Sequence, residues 1–135
     1  MSHYTRLDTR IVSVEHLIAA LADMGFDHVE HHDVAEHLYG YEGDVREDRA
    51  EVIVRRAFIG ELSNDIGFRR TADGNFEAII SDYDRDTYGR EWLGRLTQRY
   101  AYRVARDVLR DQDFDLVEES MDQDRRIHMT VRRMA

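Results

Sequence analysis

Apolar residues recur every three or four positions in two stretches of this chain, and roughly every second position in most of the rest. In Val14–Met24, the residues Val14, Leu17, Ile18, Leu21 and Ala22 fall on one side of a helix at about 100° per residue. Ser13 stands where an N-cap belongs, and Glu15 sits in the first turn, where the helix dipole favours an acid. Gly25 followed by Phe26 supplies the stop. The second helical stretch, Gly89–Leu109, is the longest element, with Asp86 or Thr87 placed to cap it. Its apolar side carries Trp92, Leu93, Leu96, Tyr100, Val104 and Val108 and is expected to lie on a sheet.

The two-residue period marks the strands. Ser2–Val12 alternates around Tyr4, Leu7 and Ile11, and Asp27–His37 reads as a strand that fades into a loop. A turn at Tyr39–Gly43 and an acidic linker at Asp44–Asp48 lead into a strand at Glu51–Ala57. Asp65–Arg70 and Asn75–Asp82 form a hairpin around Ala72-Asp-Gly74, where Asp-Gly supplies the positive φ of a tight turn. Phe114–Met121 and Arg126–Arg133 form a terminal hairpin around Asp122–Asp124. The predicted order is β-α-β-β-β-β-α-β-β. It implies one α+β domain over residues 1–135, with a largely antiparallel sheet and both helices on one face.

Charge changes the picture on the long helix. Arg95, Arg99, Arg103, Arg106 and Arg110 follow one another at spacings of four, four, three and four, with Gln98 and Tyr102 at the border. This stripe is expected to face outward. Yet the chain as a whole has a formal net charge of −9, which argues against a general nucleic-acid binder. All 19 basic residues are arginine, so lysine chemistry is excluded, and the absence of cysteine excludes disulfides and thiolate metal sites. The acidity also fits a salt-adapted surface. No apolar run is long enough to span a membrane and no signal-peptide pattern opens the chain, so the expected location is cytoplasmic.

The opening Met-Ser-His-Tyr-Thr, the hairpin from Asp65 to Asp84 and the stretch Leu96-Thr-Gln-Arg-Tyr-Ala-Tyr102 carry a resemblance over nearly the whole length. In these residues the chain resembles an uncharacterised family that includes the hypothetical chloroplast reading frame thirty-five product of plastids and cyanobacteria. The resemblance implies a small soluble protein with no established reaction, substrate or cofactor. It points to His3, Asp65, Gly67, Gln98, Arg99 and Tyr102 as motif positions. The histidine-rich segment Asp27–His37 and the abundant acids depart from the family pattern.

Three functional readings follow. In the first, the protein is an accessory or adaptor rather than an enzyme, and Arg95, Gln98, Arg99, Tyr102, Arg103 and Arg106 bind an acidic protein partner. The bland counterpart is a stripe that pairs with the chain's own acids or is merely solvated. In the second, the His28–His37 segment holds a divalent metal for an enzyme or a sensor. His28, Glu30 and His32 share a strand face, although no HExxH-type signature accompanies them. In the third, the arginines take phosphate or nucleic acid. Asp82, Asp84 and Asp86 begin like a calcium loop but lack its glycine and glutamate, and read instead as helix-start acids. A second copy of the chain is a further possible partner, through an exposed edge at Asp27–His37 or the terminal hairpin.

Overall fold

The computed structural model describes residues 3–112, 114–121 and 126–133. Strand β1 (Tyr4–Asp8) precedes helix α1 (Val14–Asp23); β2 (Val29–Tyr39) and β3 (Val45–Val54) follow. A short 3-10 turn at Arg56–Phe58 leads to β4 (Ile66–Arg70) and β5 (Phe76–Ser81). Helix α2 (Arg90–Asp111) then precedes β6 (Phe114–Met121) and β7 (Ile127–Arg133). The expected α+β class and element order are both present. Five strands form an antiparallel sheet in the order β1-β5-β4-β3-β2, and β6 and β7 form a separate antiparallel pair that touches α2 through β6.

Both helices cover one face of the five-stranded sheet. Leu17, Ala20 and Leu21 of α1 and Trp92, Leu93 and Leu96 of α2 close over Val52, Val54, Ile66, Phe68, Phe76, Ala78 and Ile80. Burying each large side chain in this layer stabilises the fold by about 1.5–3 kcal/mol. Ser13 caps α1 as expected, its hydroxyl accepting from the His16 amide at 3.3 Å. The Tyr100 hydroxyl accepts from the amides of Val12 at 3.1 Å and Ser13 at 2.9 Å, tying α2 to the start of α1. Helix α2 has Gly89 at its N-cap with no side-chain bond, so neither Asp86 nor Thr87 caps it.

The second sheet face is covered by the chain's own hairpin. Residues 44–48 are not a linker: β3 begins at Val45 and pairs with β2, which runs to Tyr39 rather than fading out. The amide of Gly40 donates to the Asp44 carbonyl at 2.8 Å, and Gly43, at φ 80°, completes the turn. Register shifts between His31 and Glu36 and between His37 and Tyr39 break the ladder and bend the strands. The bend carries Leu38 across the sheet, where it is buried with Ala50, Ile53 and Ile79 and backed by Tyr4. Gly67 makes the crossing possible, because a Cβ there would lie 2.8 Å from Ala50 Cβ and 3.0 Å from Leu38 Cδ2. The distal part of the hairpin is fastened by the Arg6–Asp48 ion pair at 3.2 Å and by Arg46 lying over the Tyr4 ring. Strand β1 itself stops at Asp8, and Thr9–Ser13 lead to the helix.

Among the described residues, no helix is long and apolar enough to cross a membrane.

Candidate functional site

Two arginines of the α2 stripe, Arg99 and Arg103, do not project freely from the body. Asp23, at the end of α1, accepts from Arg99 Nε at 2.6 Å and from Arg103 Nε at 2.8 Å, with a further bond from Arg103 Nη2. This corrects the expectation of an outward stripe, and the reason lies in the helix geometry. At about 100° per residue, Arg103 falls roughly 20° from Trp92 and between it and Leu96. The stripe therefore borders the buried side rather than opposing it, and α1 packs along that border. Bonds from Arg103 and then Arg99 hold the Asp23 carboxyl below the usual carboxylate range; Asp23 in turn raises Arg103. The arginine side chains keep 27% and 30% of their exposure, so the cluster is anchored but still open to solvent.

The remaining members of the stripe divide. Arg95 pairs with Glu91 at 3.1 Å, an i,i+4 contact along the helix. Arg106 is half-buried and makes no ion pair among the described residues. Gln98 is half-buried. Tyr102, expected at an interface, is 4% exposed, and the Arg99 guanidinium lies over its ring at 4.3 Å. It acts as a floor for Arg99 rather than as a contact surface. Conversely Val108, expected on the buried side, is 48% exposed, because the last turns of α2 run beyond the sheet core.

The histidine-rich segment is not assembled as a ligand set. His28 stacks on Phe58 with ring centres 4.6 Å apart. Both oxygens of Glu30 accept from Arg55, at 2.8 and 2.9 Å, and Oε1 also bonds His32 Nε2 at 2.7 Å. Arg55 and then His32 hold the Glu30 carboxyl below its ordinary range. Among the described residues, no three His, Asp or Glu side chains form a group that could hold a metal ion.

The motif positions Asp65 and Gly67 serve the fold. Asp65 is fully buried. Its Oδ2 accepts from the Tyr39 amide at 2.7 Å and from Arg55 Nη1 at 2.8 Å, and its Oδ1 accepts from the Arg56 amide at 2.7 Å. The Asp65 amide returns a bond to the Tyr39 carbonyl at 3.0 Å. Asp65 thus locks the folded-over hairpin to β4, two residues from the glycine that lets Leu38 cross. The His3 side chain is exposed, and its carbonyl accepts from the Asp82 amide at 2.7 Å. Asp84 is 3% exposed and is not a helix-start acid: it accepts from the Asn64 amide at 3.0 Å and from the Ser81 hydroxyl at 2.8 Å.

Asp23 is the residue that the sequence reading missed, and it left a signal. An acid in the last turn of a helix opposes the helix dipole, so a carboxylate held there needs a cation from elsewhere in the fold. Arg55 left one too, as a charged residue directly after the buried run Val52–Val54 that ends β3.

No solved structure matches the chain significantly. Its sequence is similar to that of the uncharacterized protein ycf35 of Cyanophora paradoxa, with 27% identity over 134 residues and 98% of each chain covered. The model of a family of proteins of unknown function, DUF1257, matches residues 20–130, and the chain belongs to that family.

Proposed function

We propose that this protein is an accessory factor that binds an acidic segment of a partner protein at the seam between α1 and α2. One observation supports this reading above the others: a single carboxylate, Asp23, holds two guanidiniums side by side, with Arg106 nearby on the same helix. Asp107 is also close to Arg103, but its carboxylate is engaged by His16 at 2.7 Å. Even with Asp107 counted, three guanidiniums, Arg99, Arg103 and Arg106, face two carboxylates at the seam of a chain whose net charge is −9. Guanidiniums fixed in advance lose little freedom when a second carboxylate arrives, and their planar forks suit it. The Tyr102 ring beneath Arg99 adds to that fixation.

The test compares capture of partners from a native lysate by three forms of the full chain. Arg99→Gln with Arg103→Gln should abolish capture of a specific protein. Asp23→Asn should retain or strengthen it, since it leaves both arginines and removes their internal competitor. Equal loss in both variants would mean that the cluster only braces α1 against α2, and the reading would fail. Capture that survives neither nuclease treatment nor moderate salt would assign the surface to nucleic acid instead.

A further inference from the structure

We propose that β1 is a self-pairing edge, through which two copies of the chain join their sheets antiparallel across a two-fold axis centred on Leu7. Strand β1 ends the five-stranded sheet. In its pairing with β5, the bonds from the Thr9 amide to the Phe76 carbonyl and from the Asp82 amide to the His3 carbonyl fix the alternation. Odd-numbered residues turn their backbone groups to β5. Those of Tyr4, Arg6 and Asp8 therefore point away from the sheet and, among the described residues, pair with no other strand.

The side chains select the partner. A two-fold pairing centred on Leu7 sets Arg6 of each copy opposite Asp8 of the other, at positions whose backbone groups face outward. It also sets Leu7 against Leu7 and Thr5 against Thr9. Opposite charges then meet twice across the seam. A pairing centred on Arg6 would set like charges together, so the sequence chooses between the two registers. Within one chain Asp8 lies in register with Glu77, another acid, while Arg6 serves Asp48 at 3.2 Å and approaches Glu77 at 3.9 Å. Among the described residues Asp8 makes no ion pair, and the second copy's Arg6 supplies one.

Shape agrees with charge. A groove of about 560 Å³ runs beside the edge, lined by Leu7, Thr9, Arg90, Leu93, Gly94 and Thr97. It leaves room on the helix side for the Leu7 and Thr9 side chains of the second copy. The opposite edge, β2, is interrupted by two register shifts and offers no regular ladder. This makes β1, rather than Asp27–His37, the pairing edge.

Sedimentation equilibrium of the full chain over a concentration series tests the proposal. The wild type should dimerise, while Arg6→Asp and Asp8→Arg should each weaken the dimer by about tenfold or more. An equimolar mixture of these two variants should form a heterodimer, because each Asp then meets an Arg. The double variant R6D/D8R should dimerise with itself. A wild type that stays monomeric, single variants that dimerise as well as the wild type, or no recovery on mixing would each overturn it. Hydrogen exchange needs no variant: the amides of Arg6 and Asp8 should be protected in concentrated protein and lose protection on dilution. Fast exchange at every concentration would also overturn the proposal.

Discussion

Replacing Asp65 with asparagine removes one charge and one acceptor from a carboxylate that is fully buried and fully used. Three donors converge on it: the Tyr39 amide at 2.7 Å, the Arg56 amide at 2.7 Å and Arg55 Nη1 at 2.8 Å. An asparagine amide can accept only through its oxygen. Whichever way it is turned, its nitrogen faces an N–H group. A buried donor left unsatisfied costs about 1–3 kcal/mol, and breaking a buried ion pair about 3–5 kcal/mol. Arg55 keeps its two bonds to Glu30, so the guanidinium is not orphaned and the lower end applies. The expected loss is about 3 kcal/mol, a large share of a typical domain's stability of about 5–15 kcal/mol. Equilibrium urea unfolding followed by Trp92 fluorescence measures it, with the slope of the transition unchanged. A loss under about 1 kcal/mol would refute the claim that Asp65 locks the hairpin to the sheet.

Gly67→Ala should cost about 1–3 kcal/mol by the same assay, since its Cβ would press on Ala50 and Leu38; adding Leu38→Ala should make the pair less than additive, and strict additivity would place the clash elsewhere. Tyr100→Phe should cost about 1–2 kcal/mol, because the Val12 and Ser13 amides lose their shared acceptor; a neutral substitution would show that water replaces the hydroxyl. The Asp23 and Glu30 carboxyls titrate below their unfolded values, so their contribution is present above the unfolded carboxylate range of about pH 4 and is lost as pH falls through the lower folded values. Asp23→Asn and Glu30→Gln should therefore flatten the acid limb of a stability-against-pH curve, and an unchanged limb would show that neither pair contributes.

The regular elements were legible because the pattern of burial wrote them. The 3.6-residue period of Leu17, Leu21, Trp92, Leu93 and Leu96 is the period of the face that meets the sheet. The Asp-Gly turn before β5 was legible for the same kind of reason, as Gly74 has φ 90°. The acidic run at 44–48 failed as a strand signal because Val45 is 61% exposed and the acids around it face solvent or ion-pair partners. The start of β3 is set by the turn and by pairing with β2, which leave no apolar mark.

The candidate site was legible as a list of arginines but not as a geometry. A stripe of charge along one helix says nothing of the neighbouring helix, and Asp23 lies 76 residues before Arg99 in the chain. Tyr102 misled because an aromatic between arginines reads equally as an interface residue or as a buried floor, and only the tertiary packing, which leaves it 4% exposed beneath Arg99, decides between them. Asp65 and Gly67 stood out through resemblance, while their role depends on a fold-over of β2 that no local pattern announces.

The most direct measurement concerns the guanidinium pair itself. In the wild-type protein the Nε–H groups of Arg99 and Arg103 are hydrogen-bonded to Asp23, so their NMR cross-peaks report any competing carboxylate. Titration with an acidic peptide should shift these two signals and that of Arg106 in a saturable manner, while those of Arg46 and Arg56 across the fold stay in place. Shifts that are uniform over all arginines, or absent from Arg99 and Arg103, would contradict the proposed docking surface.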